Sequence, residues 1–193
     1  MRIVGGSHRG RRLLAPSGDL VRPTSDRARE AVFDILSHGS FAANGVPFAG
    51  AAVLDAFAGT GAFGLEALSR GAAEAVFIER EREALVFLRR NIVALGETGR
   101  CRIFPGDATR PPRGDRSCAL AFLDPPYASG LAAPALSALA AVGWIASGAL
   151  AIVEIGAREE LVAPAGFTLI DERVYGAACL VFLRSDGAGG DTT

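Results

Sequence analysis

Asp55-Ala56-Phe57-Ala58-Gly59-Thr60-Gly61-Ala62-Phe63-Gly64 is the stretch that decides the fold. Ahead of it, Ala51-Ala52-Val53-Leu54 is a short apolar run, the pattern of a buried strand. Behind it, Phe63, Leu65, Glu66, Ala67, Leu68 and Arg70 fit a helix with one apolar face, stopped at Gly71. The glycines therefore lie on a strand-to-helix turn. There they let a ligand approach the main chain closely, and the helix start offers it free N–H groups.

Gly59, Gly61 and Gly64 also fit G-x-G-x-x-G, and Glu79 closes the next apolar run, Ala75-Val76-Phe77-Ile78. An acidic residue in that place can take a pair of ribose hydroxyls. Two ligands compete for such a turn, a dinucleotide and S-adenosylmethionine. Asp55 separates them. A carboxylate at the strand end repels a pyrophosphate and suits a ligand that carries an ammonium and a sulfonium.

Outward from the turn, the chain reads as strands alternating with helices. Residues 81–95 form a helix through Ala84, Leu85, Leu88, Ile92 and Leu95, ended by Gly96. Strands follow at 101–104, 118–123, 149–155, 167–170 and 178–183, with a further helix at 131–142. Towards the N-terminus, Ala28, Ala31, Val32, Ile35 and Leu36 make an apolar helical stripe, with Arg27, Arg29 and Glu30 off it. Ile3-Val4 and Leu13-Leu14-Ala15 read as a β-hairpin with a basic tip at Arg9, Arg11 and Arg12. This predicts an α/β protein with a seven-stranded, mainly parallel sheet and helices on both faces. The last two strands lack room for a crossover helix, so they pair antiparallel. Residues 1–20 are expected to form an arm, residues 21–185 the main domain, and residues 186–193 a disordered tail.

A second motif, Asp124-Pro125-Pro126-Tyr127, follows the fully apolar 118–123 strand and so falls at the carboxyl edge of the sheet. Ligands bind at that edge in open α/β sheets. Asp55, Glu79 and Asp107 end their strands there too. The two prolines fix the backbone and remove two N–H donors. The Asp124 carboxylate and the Pro125 carbonyl can then each accept one hydrogen of an exocyclic NH₂, while Tyr127 offers a flat face for a base. Acceptors out of the ring plane localise the nitrogen lone pair, and orientation with electrostatics supplies most of the rate. A base inside a folded nucleic acid must be splayed out to reach such a site.

Net charge is −1 over 193 residues and all basic side chains except the histidines are arginine. The charge is unevenly spread: residues 1–29 hold seven arginines against two aspartates, a balance of +5. A basic arm of this kind is a candidate phosphate footprint, and an arginine-rich solvated surface is the alternative. His8 reads as a solvated surface histidine, with a contact to RNA as the alternative. Cys101, Cys118 and Cys179 lack metal-ligand spacing and read as free thiols of a reducing cytosol. No metal site, membrane span or signal peptide is expected, and the protein is expected to be a cytoplasmic monomer.

These motifs, with Arg22-Pro23-Thr24-Ser25-Asp26-Arg27-Ala28-Arg29-Glu30 and Gly64-Leu65-Glu66-Ala67-Leu68-Ser69-Arg70-Gly71-Ala72, carry a resemblance over nearly the whole chain. The chain resembles the class I, S-adenosylmethionine-dependent 16S ribosomal RNA (guanine(966)-N(2))-methyltransferases. The resemblance implies a Rossmann-like methyltransferase fold and S-adenosylmethionine as cofactor. It implies that Asp55 with Ala58, Gly59, Thr60 and Gly61 holds the methionine part. Glu79, beside Arg80, takes the ribose, and Asp107, beside Ala108, meets the adenine. Arg22 and Thr24 border the same pocket. Asp124, Pro125, Pro126 and Tyr127 receive the guanine, and the partner is 16S rRNA in the small ribosomal subunit. Three other classes fit less of the sequence. A DNA adenine or protein glutamine N-methyltransferase shares the chemistry, though Asn-Pro-Pro-Tyr is common there. An NAD-dependent oxidoreductase leaves Asp55 and Asp-Pro-Pro-Tyr unexplained, and an RNA-binding module leaves the converging carboxylates unexplained.

Overall fold

The computed structural model describes residues 1–16, 25–42 and 47–186. Arg22 and Thr24 lie outside the described residues, as do residues 187–193 of the expected tail. Among the described residues, four α-helices and seven strands follow in the order α1 (Ser25–Ser37), β1 (Ala52–Ala56), α2 (Ala62–Ser69), β2 (Glu74–Glu79), α3 (Arg82–Leu95), β3 (Cys101–Pro105), β4 (Cys118–Leu123), α4 (Ala132–Ala141), β5 (Ile145–Gly156), β6 (Phe167–Tyr175) and β7 (Ala178–Ser185).

The seven strands form one sheet in the order β3-β2-β1-β4-β5-β7-β6. β1, β2, β3, β4 and β5 run parallel, and β7 lies antiparallel between β5 and β6. The chain winds outward from β1 to β3 and returns to place β4 on the other side of β1. That reversal opens a crevice at the carboxyl ends of β1 and β4, where open sheets bind ligands. Alternation along the strands divides the core in two. Val53, Phe77, Leu120 and Phe122 pack under α1, α2 and α3. Leu54, Val76, Ala121 and Leu123 pack with α4 and Trp144 on the opposite face.

Two strands run beyond the apolar patches that signal them. β5 begins at Ile145, which pairs with Cys118 ahead of a register shift. β6 continues through Asp171-Glu172-Arg173, because an edge strand with solvated faces needs no apolar alternation.

The N-terminal segment is shorter in β-structure and more tightly held than expected. The hairpin is reduced to one antiparallel bridge, Arg2 to Arg12, around a 3₁₀ turn at Gly6–His8. Ile3 and Leu13 belong to the core under the helices. The Val4 and Gly5 N–H groups donate to the Glu66 carboxylate, each at 2.8 Å. Arg29, expected off the apolar stripe, is instead fully buried. Its guanidinium donates to the Arg2 carbonyl at 2.6 Å and lies 3.7 Å from Glu66, which also pairs with Arg70 at 2.7 Å. The carboxylate makes burial of the guanidinium tolerable. His8 is not solvated: its Nε2 sits 2.5 Å from Glu97 Oε1, and the Arg100 and His8 hydrogen bonds hold the Glu97 carboxyl below its usual range against the opposing effect of burial.

Candidate active site

Asp55, near the end of β1, lies under the start of α2 and accepts the Gly64 N–H at 2.9 Å. It is 2% exposed. Burial pushes its carboxyl up to about 8; the Gly64 N–H opposes that rise, and the charges of Asp124 and Glu79 add to it. Glu79, also buried, ends β2. One of its oxygens accepts the Gly59 N–H at 2.6 Å, and the other accepts Arg80 and Glu81 N–H at 2.8 and 2.7 Å. The glycine turn is thus tied to the neighbouring strand end. Asp107 follows β3 and accepts both the N–H and the hydroxyl of Thr109, which holds its carboxyl below the usual range.

Three glycines in the turn have different reasons to be glycine. A Cβ on Gly64 would run into the Phe77 ring, so Gly64 permits close packing of α2 on β2. Gly61 adopts φ +87 at the N-cap of α2. Gly59 adopts φ +55, where an L side chain is strained, although a Cβ there would meet nothing within 4 Å. Gly64→Ala is therefore expected to destabilise the fold by about 1–3 kcal/mol through overpacking. Gly59→Ala is expected to cost about 1 kcal/mol through its left-handed backbone and to weaken S-adenosylhomocysteine binding at least about tenfold. Melting curves and calorimetry compare the two, and equal effects on both readouts would remove this division of roles.

Phe57, Ile78, Glu79, Arg80, Glu81, Gly106, Ala108, Asp124 and Pro126 line a cleft of about 170 Å³ at the carboxyl edge. Phe57, Ile78 and Ala108 give it apolar walls suited to a flat heterocycle, and Glu79 supplies acceptors suited to hydroxyls. Asp55 under the adjoining turn suits a cation. These features fit S-adenosylmethionine better than a dinucleotide, since the buried carboxylates leave no place for a pyrophosphate.

Pro126 also lines a second cavity, with Pro125, Tyr127, Glu154 and Leu131 among its walls. The Tyr127 hydroxyl donates to Glu154 Oε1 at 2.8 Å. Glu154 is 5% exposed and was missed by the sequence reading, although it follows the apolar run 149–153 in β5 much as Asp55 and Glu79 stand in their strands. Asn91 of α3 was missed as well. Its side-chain amide donates to the carbonyls of Thr60 and Leu14, both at 3.0 Å, and its oxygen accepts the Leu14 N–H at 2.7 Å, coupling the glycine turn to the N-terminal segment. Arg9, Arg11 and Arg12 are exposed, and Arg11 caps the Ala94 carbonyl of α3 at 2.7 Å. Among the described residues, no group of His, Cys, Asp and Glu could hold a metal ion, and no helix is long and apolar enough to cross a membrane. The three cysteines are free.

Residues 1–184 match the family described as Conserved hypothetical protein 95. Ribosomal RNA small subunit methyltransferase D of Escherichia coli is 35% identical over 98% of this chain and 92% of its own length. The protein of the same name from Haemophilus influenzae is 32% identical, over 91% and 89%. The solved structure of yhhF from Escherichia coli is 34% identical and superposes with a TM-score of 0.81, covering 97% of this chain and 99% of the other. An RNA methyltransferase from Salinibacter ruber, solved with S-adenosyl-L-homocysteine, shares the fold at a TM-score of 0.64 and 11% identity, over 88% and 97%. With its full-length match and these relatives, the chain belongs to the Conserved hypothetical protein 95 family, alongside the small-subunit ribosomal RNA methyltransferases D.

Proposed function

We propose that this protein transfers a methyl group from S-adenosylmethionine to the exocyclic N2 of a guanine in 16S rRNA, acting as a cytoplasmic monomer on the small ribosomal subunit. Family membership makes it a ribosomal RNA methyltransferase. The observation that carries the site assignment is Pro126, which forms a wall shared by the cleft above Glu79 and the cavity beside Tyr127. Two ligands seated in these neighbours meet at Asp124-Pro125.

Bound in the first cleft, the cofactor supplies a methyl group activated by a sulfonium. Asp55 and the turn at Ala58, Gly59, Thr60 and Gly61 hold its methionine part. Glu79 accepts the ribose hydroxyls, and Asp107, with Arg80 and Ala108 beside it, borders the adenine. Arg22 and Thr24 are assigned to the same pocket. Asp124 and the Pro125 carbonyl accept the two hydrogens of the guanine amino group and aim its lone pair at the methyl. Tyr127 lies against the base and Pro126 keeps the turn rigid. Exclusion of water strengthens these contacts; as the N2–C bond forms the S–C bond would break and its electron pair stay on sulfur, and the surplus amino proton passes to Asp124 or to solvent.

The exposed Arg9, Arg11 and Arg12 supply phosphate contacts beside the turn. Removing residues 1–15 would also remove Ile3 and Leu13 from the core, so charge reversal is the cleaner probe. Arg9→Glu with Arg12→Glu is expected to weaken small-subunit binding and flatten its salt dependence by about two phosphates' worth of slope. Unchanged binding across that salt range would leave these arginines as solvated surface.

The function is tested on small subunits from cells lacking the protein. Incubation with the enzyme and labelled cofactor is expected to place one methyl on a guanine N2 of 16S rRNA. Label appearing only in DNA or in protein would overturn the reading.

A further inference from the structure

We propose that Glu154 is a positioning residue for the target base and acts through Tyr127. The proposal rests on the reading that Tyr127 receives the guanine.

Glu154 lies one residue beyond Val153, which pairs with Leu123, so it stands on β5 beside the start of the Asp124-Pro125-Pro126-Tyr127 turn that follows β4. The β5 strand runs between β4 and β7, and Glu154 itself pairs with Leu180. Its backbone therefore belongs to the rigid interior of the sheet. Its side chain is almost wholly buried but forms part of the cavity wall with Tyr127 and both prolines.

Tyr127 stands on a turn rather than on a strand. Two prolines precede it, and Ala128 follows at φ 55, a left-handed conformation that a non-glycine residue keeps only when its surroundings demand it. The turn fixes where the Tyr127 backbone goes but leaves the ring free to rotate about its side-chain bonds. A stacking face is useful only in one orientation. The hydrogen bond from the phenol to Glu154 Oε1, 2.8 Å long, fixes the far end of the ring to the sheet. A hydrogen bond to a buried carboxylate is among the stronger ones available for this. Position matters here because small misplacements of a reacting group cost large factors in rate.

Tyr127→Phe keeps the ring and removes the tether. Glu154→Ala removes the other end. Each is expected to lower kcat/KM on small subunits roughly tenfold to a hundredfold. S-adenosylhomocysteine affinity by calorimetry is expected to be unchanged, since neither residue lines the cofactor cleft. The double variant is expected to be no slower than either single one. Glu154→Gln is expected to retain most of the activity, because its amide oxygen still accepts from the phenol. Additive losses in the double variant, or full activity in Tyr127→Phe beside an impaired Glu154→Ala, would overturn the proposal. If Glu154→Ala does not fold, Glu154→Gln and Tyr127→Phe decide: a Gln variant as slow as the Phe variant overturns it. Tyr127→Ala separates the two levels. Wild-type turnover there would sink the assignment of Tyr127 to the base, whatever Glu154 does.

Discussion

Asp124→Ala is expected to lower the single-turnover methylation rate on small subunits by roughly a hundredfold or more, the scale of losing one aimed electrostatic partner. The variant is expected to keep its affinity for S-adenosylhomocysteine within a few-fold, because Asp55, Glu79 and the glycine turn are intact. The location of Asp124 makes this a test of chemistry rather than of folding. It is partly exposed, it follows β4, and it lines the cleft beside Pro126. Its charge reaches Asp55, so it stands within the same electrostatic site. Asp124→Asn then separates two roles. Asparagine keeps an acceptor oxygen and the shape but cannot take up the proton. Partial activity in Asn means that hydrogen bonding to the amino group carries the effect. An Asn variant as slow as Ala means that the carboxylate accepts the departing proton. Near wild-type turnover in Asp124→Ala would remove this residue from the mechanism and leave Asp-Pro-Pro-Tyr as a rigid turn.

The central strands β1, β2 and β4 were legible because they are short, apolar on both faces and have a carboxylate at or beside their carboxyl ends. The 118–123 strand coincides with β4 residue for residue. Antiparallel pairing of the last two strands followed from the shortness of their connection. Elements that depend on long-range pairing were less visible. The polar end of β6 is a strand only because β7 lies beside it. Arg29 looked like a surface residue because helical periodicity cannot reveal a carboxylate brought up by another helix. Glu66 and the Arg2 carbonyl are both contributed by distant segments. His8 was misread for the same reason, since Glu97 reaches it from beyond the end of α3. At the site, Asp55, Glu79 and Asp124 were legible as single carboxylates ending apolar strands. Glu154 bears the same signature but stands two residues before the end of its strand, and its link to Tyr127 is a matter of strand order rather than sequence spacing.

Asp55→Asn is expected to give the other large effect, on the pH dependence of cofactor binding. The Asp55 carboxyl titrates at about 8, chiefly because it is buried. In the unfolded chain it ionises near the ordinary value of 3.8. Between those values the unfolded chain has released a proton that the folded protein still holds. Folding stability therefore declines as pH rises from about 4 to about 8, and this contribution is flat above that. Binding has the opposite slope. A ligand ammonium placed beside Asp55 favours the ionised carboxylate and lowers its pKa. Complex formation at pH 7 then expels a proton from Asp55. S-adenosylhomocysteine affinity is expected to rise by up to about tenfold per pH unit between pH 6 and 8, the slope for one linked proton. Calorimetry at pH 7 in buffers of different ionisation enthalpy is expected to show close to one proton released per complex. Asp55→Asn carries no titrating group there. It is expected to bind at least about tenfold more weakly at pH 8 through loss of the charge pairing, with a flat pH profile and no proton release. A wild-type affinity that does not change between pH 6 and 8, without buffer-dependent heat, would show that Asp55 does not face the cationic end of the ligand.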